Sequence, residues 1–165
     1  MQRNIGLLIA ACALTGCAAT GQSYREHLAT QTAIAPNNAR ITVYRPDDTM
    51  LGSARDTRIS LDDKTVSKVA HLGFNTFEAT RGAHVIKADL WDTFGSCSLQ
   101  VDFKPNTDYY FEVTPREEPI IAGTLLGFAG SAAESAGKVC GGGFTITARP
   151  KEVALRALGP LKSSQ

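Results

Sequence analysis

The chain has little of what most readily betrays a function. Neither sign of charge is in surplus: Lys and Arg number 17 against 16 Asp and Glu, a formal net charge of +1. It therefore lacks the basic field that nucleic acid needs, and no nucleic-acid partner is expected. The three histidines, His27, His71 and His84, stand too far apart for ligand spacing. H-E-x-x-H, G-x-S-x-G, a Walker loop and a dinucleotide fingerprint are all absent, so the expectation is no enzyme, no metal and no cofactor. The four cysteines contain no C-x-x-C, which excludes the commonest redox pair. No apolar run reaches the roughly 20 residues of a spanning helix. What is left, 165 residues of which 43% are hydrophobic and 20% charged, is ordinary globular material for one core.

The amino-terminal end is composed differently. Arg3 gives residues 1–16 a positive start, Ile5 to Leu14 is apolar and uncharged, and small residues follow. These are the marks of a secretory signal. Leu14-Thr15-Gly16-Cys17 resembles the lipobox of bacterial lipoproteins. That resemblance implies a diacylglycerol thioether on Cys17, cleavage before it and acylation of the new amine; the alternative is an ordinary signal cut nearby, with Cys17 a free thiol. With Ala18 rather than Asp after the cysteine, a Gram-negative lipoprotein is expected at the outer membrane, facing the periplasm. Three acyl chains, at about 0.8 kcal/mol per buried methylene, would make desorption negligible.

Removing the leader takes Cys12, and lipid consumes Cys17. Cys97 and Cys140 remain, and an even remainder in an exported domain reads as one disulfide, the alternative being two buried thiols. Such a bond would contribute on the order of 4 kcal/mol by the chain-entropy account.

Residues 17–38 are small and polar and read as a lipidated tether, with at most an inconsequential helical turn over Tyr24 to Ala29. The domain proper is expected over 39–159, and 160–165 as a flexible tail. Ala39 to Arg45 alternates, with Ile41 and Val43 on one face and Thr42 and Tyr44 on the other. Arg58–Leu61 and Lys64–Val69 flank Asp62-Asp63, a tight hairpin turn. His84 to Leu90 places His84, Ile86, Ala88 and Leu90 together, and Cys97 to Phe103 places Cys97, Leu99, Val101 and Phe103 together. Strands over Tyr109 to Thr114 and Gly143 to Arg149 follow, then a short helix from Pro150 to Leu158. The fold class is mainly all-β: a small antiparallel β-sandwich with a short carboxy-terminal helix, and an apolar helix at about 120–136.

Ile41-Thr42-Val43-Tyr44-Arg45, Ile59 to Asp63, Gly73-Phe74, Phe77-Glu78, Arg81 to His84 and Tyr109-Tyr110-Phe111 together resemble an uncharacterised family of bacterial lipoprotein-like domains. In that family a VYR strand precedes a Leu-Asp-Gly-Lys hairpin, a Pro-Gly-x-His turn and a Tyr-Tyr-Phe strand. The likeness runs from Ala39 to Pro115, more loosely to Leu158. Asp63 stands where glycine is usual, and Thr80-Arg81 replaces prolines. The pattern also resembles carbohydrate-surface domains with a prealbumin-like or Ig-like sandwich. The resemblance implies location and fold, and no catalytic activity.

Between Ile120 and Ala133 the chain is uncharged, with Gly123, Gly127 and Gly130 at small-residue helical spacing. Packing on the sandwich is the plain reading, with dipping into the bilayer or a protein contact as alternatives. As a contact for an envelope protein partner or for self-association, Ile120, Gly123, Leu126, Gly127 and Phe128 are the candidates. Elsewhere, Glu78 is expected opposite His84 across a hairpin. Tyr44, Tyr110 and Trp91 are expected to be exposed and could stack on a sugar ring. Two functions follow: a non-enzymatic, membrane-anchored envelope lipoprotein acting as an interaction or structural module, or a lipoprotein binding glycan, peptidoglycan or a small apolar ligand.

Overall fold

The computed structural model describes residues 18–46, 55–90, 95–115, 138–141 and 143–164. The leader, Cys17, Trp91 and the stretch Ile120 to Ala133, with its expected helix and contact residues, lie outside them.

The described residues form a β-sandwich. In chain order come α1 (Tyr24–Thr30), β1 (Asn38–Tyr44), β2 (Thr57–Leu61), β3 (Lys64–Val69), β4 (Gly73–Thr80), β5 (Gly82–Asp89), β6 (Ser96–Phe103), β7 (Asp108–Pro115), β8 (Lys138–Cys140), β9 (Phe144–Ala148), α2 (Lys151–Leu158) and β10 (Lys162–Ser163). One sheet has the order β10-β4-β1-β7-β9 and the other β3-β2-β5-β6-β8. The first is mixed rather than purely antiparallel, because β1 runs parallel to β7 and β10 parallel to β4.

Period-two alternation explains the core. Ile41, Val43, Phe111, Val113 and Ile146 from the first sheet meet Ile59, Ile86, Ala88, Cys97, Leu99 and Phe103 from the second. Fully burying side chains of this size stabilises by about 1.5–3 kcal/mol each. Most inward positions expected for β1, β5, β6 and β7 are buried, His84, Val101 and Tyr109 only partly, while Thr42, Tyr44 and Tyr110 on the opposite face are buried as well.

The outer face of the first sheet is covered too. Tyr24, Tyr44, Phe74, Tyr110, Ala154, Leu158 and Leu161 form a second cluster beneath the two helices. Helix α2 begins after Pro150 and ends at Gly159, turning Ala154 and Leu158 toward the sheet. The molecule thus has three layers: helices, sheet, sheet.

The expected tether is part of this fold. Ser23 caps α1 in a reciprocal box, the Ser23 N–H donating to Glu26 Oε2 at 2.8 Å and the Glu26 N–H to Ser23 Oγ at 3.3 Å. Tyr24 is buried against Phe74, their rings edge to face at 5.2 Å. Ahead of the helix, Ala18 bridges His71. The expected flexible tail is β10, seated on β4. Main-chain bonds hold both ends, which side-chain composition does not reveal.

Candidate functional site

The Asp62-Asp63 turn forms as expected. Asp62 has φ 48° and Asp63 φ 64°, the two left-handed residues of a two-residue type I′ hairpin. Asp62 then reaches across to β5: its Oδ1 accepts the Val85 N–H at 2.9 Å and its Oδ2 lies 2.6 Å from His84 Nδ1. The Val85 hydrogen bond first, and His84 second, hold the Asp62 carboxyl below the usual carboxylate range.

His84 is not opposite Glu78. β4 belongs to one sheet and β5 to the other, so the expected Thr80 to Gly82 hairpin is instead a crossover between sheets. Gly82, at φ 119°, occupies backbone space closed to other residues. The His84 Nε2 faces the Thr80 carbonyl oxygen at 2.9 Å, and the ring stacks on Phe103 at 5.3 Å. Both ring nitrogens therefore face oxygen atoms. This histidine clasps the hairpin turn to the crossover. Glu78 accepts instead from Asn38 Nδ2 at 3.0 Å and the Ala35 N–H at 3.1 Å, and those two bonds lower its pKa.

An open depression of about 350 Å³ adjoins this corner, lined by His84, Val85, Gln100 and Asp102. Beside it on the same sheet, Arg58 and Asp89 are paired at 2.7 Å and Lys87 meets Asp63. These charged groups satisfy one another around an open depression of about 270 Å³ that Ser60 and Thr65 also line. A groove, about 240 Å³, lies between α1 and the first sheet with His27, Arg40 and Glu78 along it. Arg40 is held there by the Thr32 carbonyl, by Glu78 at 3.9 Å and by Asp108 at 3.8 Å. Burial, then the charge of Arg40, lowers the pKa of His27. Among the described residues no group of three or more His, Cys, Asp and Glu could hold a metal ion.

Of the aromatics expected for sugar stacking, Trp91 lies outside the described residues and the two tyrosines are not displayed. Tyr44 and Tyr110 are buried under the helical layer. Tyr44 donates to Glu112 Oε2 at 3.2 Å, and Glu112 Oε1 accepts from Arg149 Nη2 at 2.7 Å. Burial first, and Glu112 second, push the Tyr44 phenol well up. The alternation that set Tyr44 apart from Ile41 and Val43 was right; the layer covering that face came from α1 and α2.

Cys97 and Cys140 are joined in a disulfide between directly opposed positions of β6 and β8. The Ile146 N–H of the facing sheet points at Cys97 Sγ, 3.4 Å away.

At the other end, where Cys17 would bear lipid, the chain is strapped to the sandwich. The Ala19 N–H donates to the His71 carbonyl at 2.9 Å, the Gly21 N–H to Ser163 at 3.1 Å, and the Ser163 N–H to Gln22 at 2.8 Å. A Cβ on Gly21 would stand 2.1 Å from Ser163 Oγ, so only glycine permits this approach. Sequence reasoning missed this strap. The Ser23-x-x-Glu26 capping box was a signal for α1 but not for the strap ahead of it.

No protein-family model, curated protein or solved structure matches the chain. Among the described residues no helix is long and apolar enough to cross a membrane.

Proposed function

We propose that the protein is a non-enzymatic envelope lipoprotein, anchored by lipid on Cys17, whose sandwich serves as an interaction or structural module facing the periplasm of a Gram-negative envelope. The observation that carries this reading is the fate of the cysteines. Cys97 and Cys140 are spent on each other, as suits an oxidising compartment. With Cys12 inside the apolar leader, Cys17 is left at the end of a lipobox-like Leu14-Thr15-Gly16 stretch. The paired and buried polar groups described above support a module that binds through its surface.

Radiolabelled palmitate tests the anchor. The parent chain takes up label and stays with membranes, whereas Cys17→Ser takes up none and accumulates at precursor size. Equal maturation and membrane retention of both, without label in either, defeats the reading. In-cell cross-linking with mass spectrometry tests the module: a constant protein neighbour is expected, and turnover of ester or amide substrates by the purified protein would replace this proposal with a hydrolase.

A further inference from the structure

We infer that the domain sits directly on the bilayer, with the end of the sandwich formed by residues 18–23, the β3–β4 turn and β10 against the lipid headgroups. The inference rests on the reading that Cys17 carries lipid.

The first argument is slack. Ala18 is bonded to Cys17, which fixes their Cα atoms about 3.8 Å apart. Ala18 is already bridged to His71. From there the chain has no free length: Ala19 and Gly21 each donate a main-chain hydrogen bond to the fold, Gln22 accepts one from Ser163, and the Tyr24 N–H donates to the Leu161 carbonyl at 3.3 Å. The strap lies close against the sheet, since a Cβ on Gly73 would come within 2.9 Å of the Ala19 methyl. A free coil over 17–38 would give a standoff of about 25 Å. The strap gives essentially none.

The second argument is charge. Described segments at this end include 18–23, 55–57, 67–75 and 161–164, since Arg45 Nη1 joins the Arg55 and Val69 carbonyls. They contain Arg55, Lys68, His71 and Lys162 against one acid, Asp56. Lys68 and Lys162 are exposed. The first acid beyond the strap, Glu26, is tied to Ser23 as the helix cap. A bilayer with anionic headgroups meets a net positive charge among these segments.

The full chain, matured in bacteria with labelled palmitate, would be reconstituted in supported bilayers of phosphatidylethanolamine and phosphatidylglycerol and measured by neutron reflectometry. For the parent, the protein layer should begin within about 5 Å of the headgroups, little more than the Cα spacing that joins Ala18 to the anchor. Inserting about 20 Gly/Ser residues between Ala18 and Ala19 should open a water layer of about 25 Å. Gly21→Val, which drives a side chain into Ser163, should release the strap and open one of about 20 Å, the reach of six extended residues. If Gly21→Val does not fold, the inserted chain alone supplies the contrast. A parent layer that carries palmitate yet stands as far off as the inserted chain overturns this inference and leaves the lipid anchor standing. A parent without palmitate overturns both.

Discussion

The guanidinium carbon of Arg45 lies 4.7 Å from the centre of the Phe144 ring. That contact joins the end of β1 to β9 inside the sandwich, where Arg45 is only 2% exposed. The side chain also donates from Nη1 to the carbonyls of Arg55 at 2.6 Å and Val69 at 3.3 Å. A buried cation is tolerated only when acceptors and a ring face replace its water. Arg45→Met, similar in length, would leave those carbonyls without a donor and should cost about 2 kcal/mol. Arg45→Ala adds a cavity and should cost about 3 kcal/mol or more. Urea midpoints of the two variants check the order.

The disulfide should matter as much. Cys97 and Cys140 are separated by 43 positions, a loop for which chain entropy gives about 4 kcal/mol. The double variant Cys97→Ala, Cys140→Ala should lose about that much in equilibrium unfolding. The mature parent, alkylated without reductant, should show neither of these two thiols modified.

How much of this was legible in the sequence depended on which faces are wet. β6 alternates cleanly because Gln100 and Asp102 face solvent while Leu99 and Phe103 face the core; β1 has both faces covered and was placed only because Arg40 and Thr42 interrupt its apolar residues. β4 has Phe77 and Ala79 in one cluster and Phe74 in the other, so both faces are apolar and its alternation vanishes. The three-residue β8 and two-residue β10 are too short for any pattern. Of the candidate site, the cysteine pair was readable by elimination. The strap was not, because it is made of small residues bonding through their backbones.

The turns give opposite predictions for glycine. At Asp63, φ is 64°, where glycine is the easier residue. Asp63→Gly should stabilise by a few tenths to about 1 kcal/mol, even after loss of the exposed pair with Lys87. At Gly82, φ is 119° and a Cβ would meet nothing within 4 Å. Gly82→Ala should nonetheless destabilise by about 1–3 kcal/mol, through backbone strain alone. Thermal unfolding of the two variants, shifting in opposite directions, is the check.

Acid should weaken the fold through identified groups. Asp62, Glu78 and Glu26 all have carboxyl pKa values lowered by hydrogen bonds. A group lowered in the folded state binds protons more readily when unfolded, so its stabilisation is present above the ordinary carboxylate range and is lost as pH falls through the folded value. His27, lowered by burial, has the same sign and begins to act below about pH 6.5. Urea midpoints should therefore be flat near neutrality and decline on acidification. Asp62→Asn, which keeps an acceptor for the Val85 N–H, should show a shallower decline below about pH 4; an unchanged slope would remove Asp62 from the account.

The hydrogen bond from Ser163 to Gln22 ties the first-made stretch of the domain to the last-made one. On the ribosome, the amino-terminal segment waits for a neighbour that is translated almost at the end. This corner of the molecule therefore closes last. A product truncated just after α2 would carry a nearly complete sandwich whose leading residues keep the His71 contact and lose those to Leu161 and Ser163.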